Sequence, residues 1–415
     1  MISYKRFVLD NGLTVLFHHD STTPMAVVNT LYDVGARDEN PEKTGFAHLF
    51  EHLMFGGSVN IPDFDKPLQM AGGESNAFTS NDITNYYDTI PSYNLDTALW
   101  LESDRMLSLA FTDKSLEVQR QVVIEEFKQR YLNQPYGDVW LNLRPIAYKK
   151  HPYRWATIGK EIKHIEDASM DDVKSFFEKH YSPQNAILCI AGNFNYNEVY
   201  DKVNHWYGGI DKGIRHNRSQ IIEPIQNDYR EKTIKRAVPA NAFYYVFKMS
   251  KRDCFEFYIG DLISDVLGAS NSSVLQSKLK KEKKLVTQIS AYITGSIDQG
   301  LLVVSGNLSE GVLFEQLDDA LWDEIERFSE NLIEKETLDR LKIKNQTARE
   351  FQEQGLLNRA MNLSYFELLG GAQKINEEKN IYDKIDVTNI QVEAKKILVK
   401  TNCSLLKVKT LDYDE

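Results

Sequence analysis

At 415 residues, with 42% hydrophobic and 26% charged side chains, the chain has the make-up of a soluble globular protein and is too long for one ordinary core, so at least two domains are expected. The net charge of −11 argues against a nucleic-acid partner, which calls for a basic face, and no window approaches the roughly 18 apolar residues of a membrane span. Three scattered cysteines (Cys189, Cys254, Cys403) make neither a disulfide framework nor a thiolate metal site and read as ordinary buried thiols.

Residues 1–6 run straight into a strand without a secretory apolar stretch. A cytoplasmic setting is expected, or a periplasmic one if a signal peptide has been removed. Residues 7–9 and 13–17 flank Asn11-Gly12, a two-residue hairpin signal, and a second β-type run covers 26–32. Residues 45–55 follow as an apolar run that reads as one buried helix, stopped by Gly56-Gly57. It contains His48, Glu51 and His52. Residues three and four apart share a helix face, so two imidazoles and a carboxylate point the same way. This H-x-x-E-H order, the inverse of the zincin motif, offers two metal ligands with an acid/base group beside them.

Residues 72–80 and 84–90 read as two strands. The first, containing Asn76, Ala77, Phe78 and Thr79, is polar and led by glycines, which favours an edge position. Such an edge can accept an extended peptide, although an ordinary surface hairpin reads the same way. Two helices are expected next, over 95–111 and from Thr112-Asp113 to about residue 130. In the second, Leu116, Val122, Val123 and Phe127 define an apolar stripe with Glu126 on its border. A carboxylate there needs a positive partner, either a buried Arg or Lys or a metal.

A hydrolytic zinc site takes three protein ligands and keeps the fourth position open. Nine histidines are present, all within the first 216 residues, and only His48 and His52 have the i, i+4 spacing. A carboxylate from a neighbouring helix is the natural third ligand. Glu125 and Glu126 are the candidates, and the stripe favours Glu126.

Beyond this point helices are expected over 170–180 and 199–206 and a buried strand over 186–190. A polar, basic stretch without clear period between 208 and 235 reads as a linker. The second half repeats the style of the first, with strands over 242–247, 289–293, 301–306 and 404–408, helices over 253–268 and 273–284, and long helices after them. The fold class is therefore α+β, as two similar domains of mixed sheet flanked by helices: 1–210, a linker 211–232, and 233–415. The Lys280-Lys281-Glu282-Lys283-Lys284 run reads as a solvated helix face.

The first half resembles the pitrilysin or M16 family of zinc metallopeptidases. The resemblance is carried in order by Asn11-Gly12-Leu13, Val34-Gly35-Ala36-Arg37-Asp38-Glu39, Thr44-Gly45 with His48, Glu51, His52 and Phe55, Gly72-Gly73 with Asn76-Ala77 and Thr79, Thr84 with Tyr86, Val122-Val123 with Glu126, His151-Pro152-Tyr153 with Ile158-Gly159, and Tyr181, Pro183 and Asn185 before Gly192. The resemblance implies a duplicated α+β fold and one zinc ion held by His48, His52 and Glu126. Glu51 would take a proton from the attacking water and pass it to the leaving amine. The 76–79 strand would pair with an extended peptide. A His/His/Glu site would also accept cobalt or manganese.

Two positions depart from the family pattern. Gln119 stands where members usually carry a glutamate, seven residues before the metal-binding one; it can hydrogen-bond a ligand histidine but brings no charge. Lys280 and Thr287 stand where active members often carry an Arg and a Tyr that grip the substrate carbonyl, and neither reproduces the planar fork or the phenol. The expectation is an endopeptidase subunit completed by a paralogous partner in a heterodimer. A homodimer of altered activity and a non-catalytic scaffold on the peptidase fold are the alternatives.

Overall fold

The structure, a computed structural model, describes residues 1–215, 218 and 220–411. His216 and two other residues of the expected linker lie outside the described residues, as do the last four of the expected second domain.

The chain forms two compact units, each assembled from three stretches of sequence. The first comprises residues 1–128, 155–220 and 349–377. Its sheet contains β1 (Lys5–Val8), β2 (Thr14–His19), β3 (Met25–Tyr32), β4 (Glu74–Thr79), β5 (Thr84–Pro91) and β6 (Ala186–Gly192), in the order β1-β2-β6-β3-β5-β4. The second unit comprises 129–154, 221–348 and 378–415. Its sheet contains β7 (Arg230–Arg236), β8 (Ala242–Lys248), β9 (Val286–Ile293), β10 (Leu301–Leu308) and β11 (Cys403–Thr410), in the order β7-β11-β8-β10-β9.

Setting β1 aside, the two sheets have one topology. In each, the first strand of the set lies parallel to the last, and every other neighbouring pair is antiparallel. The expected duplicated α+β fold is what the chain forms. Each sheet is also covered by a helix from the opposite half of the sequence. Leu356–Leu368 packs on β6 and β3, burying Ala360, Leu363 and Phe366, and Val139–Ala147 packs on the equivalent β11, burying Val139 and Leu143. The expected contiguous halves thus each give up a segment to the other unit.

Several local expectations need correction. The first hairpin is not a two-residue turn: the ladder ends at Val8 opposite Thr14, the Leu9 N–H still donates to the Leu13 carbonyl at 3.0 Å, and Gly12 takes φ +88° in the three-residue loop between them. Asn11 is spent on tertiary bonds, its amide donating to the carbonyls of Tyr207 and Ile210. The linker stretch ends in a strand, β7, whose alternating charges obscured it. The stripe on the Asp113–Phe127 helix includes Ile124 and not Val122, which is 44% exposed. All three cysteines are unpaired, with Cys189 and Cys403 buried. Among the described residues, no helix is long and apolar enough to cross a membrane.

Candidate metal centre

The motif helix spans Phe46–Leu53. It starts where the chain must turn at Gly45, whose φ is +91° and where a Cβ would lie 2.8 Å from the Ile158 carbonyl oxygen, so only glycine fits. Phe46, Ala47, Leu49, Phe50 and Leu53 are buried, which leaves His48, Glu51 and His52 together on the remaining face. Phe50 anchors the buried side, its ring 5.1 Å from that of Tyr181.

Against this helix packs Asp113–Phe127, capped by Thr112, which accepts the Ser115 N–H. Val123, Ile124 and Phe127 hold its inner face, and Glu126 at its border reaches the two imidazoles. Glu126 Oε2 lies 3.6 Å from His48 Nε2 and 3.4 Å from His52 Nε2. Glu125 turns away and pairs with Lys128 at 2.7 Å on the solvent side, which separates the two sequence candidates.

The three residues can each offer one ligand atom, all within 4.8 Å of one another. Tetrahedral zinc with ligands at 2.0–2.1 Å separates neighbouring ligand atoms by about 3.4 Å. The two carboxylate–imidazole distances match that edge length. The donor set and its spacing therefore fit a divalent ion with a preference for nitrogen and oxygen.

Glu51 sits beside this cluster. Burial raises its pKa, opposed by a hydrogen bond from Thr79 and by His52 nearby. Thr79 Oγ1 donates to Glu51 Oε2 at 2.6 Å and fixes the carboxylate. The strand carrying Thr79, β4, is the edge of its sheet, and among the described residues it pairs only with β5. Asn76 and Phe78 face outward, while Ala77 and Thr79 are half-buried. The Asn76 amide oxygen accepts the Ala77 N–H at 2.8 Å. Thr79, grouped by sequence with its strand neighbours, thus has a different contact: its hydroxyl serves Glu51. The signal was the threonine's alternation with Ala77, which turns both toward the motif helix.

Gln119 is half-buried on the same helix as Glu126, and among the described residues no hydrogen bond joins it to His48 or His52. In the second unit, Lys280 lies exposed on the helical turn Gln276–Glu282, and Thr287 lies exposed on β9, an edge strand, donating weakly to the Asn307 carbonyl at 3.4 Å. The neighbouring Lys283 pairs with Glu324 at 3.1 Å. His151 opens a turn whose structural role is plain: the N–H groups of Lys149, Lys150 and His151 all donate to Glu223. Burial would raise the Glu223 carboxyl, but these donors and Lys248 hold it at about 2.

Comparison with known proteins places these residues in context. Residues 14–160 match the family model described as insulinase (peptidase family M16), and residues 167–345 match the model described as the peptidase M16 inactive domain. The zinc protease PqqE of Helicobacter pylori is 31% identical over 353 residues, covering 83% of this chain and 79% of the relative. A solved structure, a protease from Helicobacter pylori, superposes with a TM-score of 0.92 at 26% identity, covering 99% of this chain and 100% of the other. The β subunit of the mitochondrial-processing peptidase of Saccharomyces cerevisiae is 28% identical over 207 residues, 49% of this chain and 44% of the relative.

Proposed function

The chain belongs to peptidase family M16, and on that premise we propose that it is a zinc-dependent endopeptidase acting on peptides or unfolded polypeptides bound in extended form. The observation that carries this reading is the cluster of His48, His52 and Glu126, whose two carboxylate–imidazole distances are those of a tetrahedral edge, with Glu51 beside it on the same helix face as the histidines. Several relatives are named as zinc proteases, which supports zinc as the ion.

His48, His52 and Glu126 would hold one zinc per chain. When bound, zinc supplies Lewis acidity, polarising a carbonyl and bringing the pKa of water down to about 7. Glu51 removes a proton from the attacking water and returns it to the leaving amine, as a positioned carboxylate can. Thr79 keeps the Glu51 carboxylate oriented for both transfers. The open side of β4, over Asn76 to Thr79, pairs with the substrate backbone. Strand pairing reads main chain more than side chains, so specificity is broad.

Lys280 and Thr287 do not supply the carbonyl grip that the family resemblance expects of an Arg and a Tyr. We therefore infer a partner: a paralogous subunit of the same family that carries that pair, with a homodimer as the second arrangement. The match of residues 167–345 to the inactive-domain model and the naming of the yeast relative as a subunit support a divided site.

The test is Glu51→Gln in the chain assayed alone and with its paralogue. Cleavage of an unfolded polypeptide should fall by about a thousandfold while zinc content stays at the wild-type level. Cleavage that persists at the wild-type rate removes Glu51 from the mechanism, and full activity from the isolated wild-type chain overturns the divided site.

A further inference from the structure

The motif helix has no capping side chain of its own, since its N-cap residue is Gly45. Its leading N–H groups find their acceptors outside the helix. Gly45 N–H donates to Glu39 Oε2 and Ala47 N–H to Glu39 Oε1, both at 2.9 Å. The Trp155 indole donates to the same Oε2 at 3.1 Å and to the Ala36 carbonyl at 2.8 Å. Glu39 is only 6% exposed. A carboxyl group thus sits on the positive end of the helix dipole, with both oxygens accepting and the indole behind it. Burial raises the pKa of this carboxyl while its three N–H donors lower it, and because donors reach both oxygens the contacts fit the ionised form. What the helix uses is the pair of acceptor oxygens, which no amide can supply.

The flank just before the helix is fixed as well. Thr44 N–H donates to His164 Nδ1 at 3.1 Å, and the Thr44 hydroxyl accepts the Lys160 N–H at 2.8 Å. Ala47 immediately precedes His48, so the oxygens of Glu39 set the height and rotation of the turn that carries the first imidazole. The second imidazole follows one turn later. A helix of 8 residues has little internal stiffness to hold that register by itself.

We propose that Glu39 is a positioning residue that clamps the first turn of the metal-binding helix and thereby holds His48 and His52 at their spacing to Glu126. The proposal rests on the metallopeptidase reading above. It assigns to Glu39 a role separate from general stability: the geometry of the site depends on it more than the fold does.

The experiment measures zinc affinity of the full-length chain by competition with a chromophoric chelator, alongside the melting temperature of the zinc-free chain. Glu39→Gln should weaken zinc by about tenfold or more, the scale of losses seen when groups supporting metal ligands are changed. Trp155→Phe, which removes one donor and leaves the carboxylate in place, should weaken it by a smaller factor. Ser364→Ala removes a buried hydrogen bond to Asn29 elsewhere in the same unit, so it should lower the melting temperature and leave zinc affinity unchanged. Zinc affinity within about twofold of wild type in Glu39→Gln overturns the clamp, on that same scale of losses. So does zinc affinity that tracks melting temperature across all three variants. A wild-type chain that binds no zinc overturns the metallopeptidase reading and the clamp with it, whereas the other two outcomes overturn the clamp alone.

Discussion

Glu51 owes its position to Thr79 as much as to the helix that carries it. The short bond from the Thr79 hydroxyl commits one carboxylate oxygen, and in the proposed mechanism the other would take the proton. Thr79→Val keeps the β-branched shape and deletes that bond. It should lower kcat by about tenfold, with zinc content unchanged and the melting temperature little altered. Equal kcat in the variant would show that the helix alone orients the base. At this scale the sequence was most informative. The pair His48 and His52 with Glu51 between them is legible because helical spacing dictates a shared face. Glu126 is legible because a carboxylate bordering an apolar stripe demands a positive partner. Glu39 was not legible in that way: nothing in local periodicity says that a residue upstream of the helix will supply its cap, and Trp155 comes from 116 positions further along the chain than the Glu39 it bonds.

Among the elements, β4 is the one whose reading turned on topology. A polar, glycine-led strand reads equally as a surface hairpin; its place at the end of β1-β2-β6-β3-β5-β4 is what leaves a backbone edge open. Ala77→Pro removes an N–H that now rests on the adjacent Asn76 side chain. If peptides bind by strand addition here, KM should rise by about tenfold or more while zinc affinity holds. An unchanged KM would move the substrate elsewhere. Element boundaries were less legible than their types. The helix ending at Phe127 was expected to run on, but the following residues relax into a wider turn. Strand β7 was hidden because its outward Lys, Arg and Glu side chains dominate its composition and only Ile234 is buried. Val122 and Ile124 fit alternative helical stripes, and packing against the motif helix decides between them by burying Ile124 and leaving Val122 exposed.

At the level of the whole molecule, duplication was visible as a repeated run of strands and helices, but the exchange of segments was not. Sequence order favours contiguous halves. Tertiary structure instead gives 349–377 to the first unit and 129–154 to the second, each supplying a helix to equivalent strands. The helix Leu356–Leu368 buries Leu363 and Phe366 in the first unit. Full burial of such side chains is worth about 1.5–3 kcal/mol each, a large share of a typical domain stability of roughly 5–15 kcal/mol. A fragment of residues 1–220 should therefore fail to fold alone and recover on fusion to residues 349–377, as read by cooperative thermal melting. A cooperative melt from the bare fragment would show that the borrowed helix is dispensable.

The claim on which everything else depends is that His48, His52 and Glu126 hold zinc in this chain. Metal analysis of the full-length protein, purified without chelators, tests it directly. About one zinc per chain is expected, reduced to a trace in Glu126→Ala, because a three-ligand site loses its charge-bearing member. Less than about a tenth of an equivalent in the wild-type chain, or full occupancy in Glu126→Ala, contradicts it.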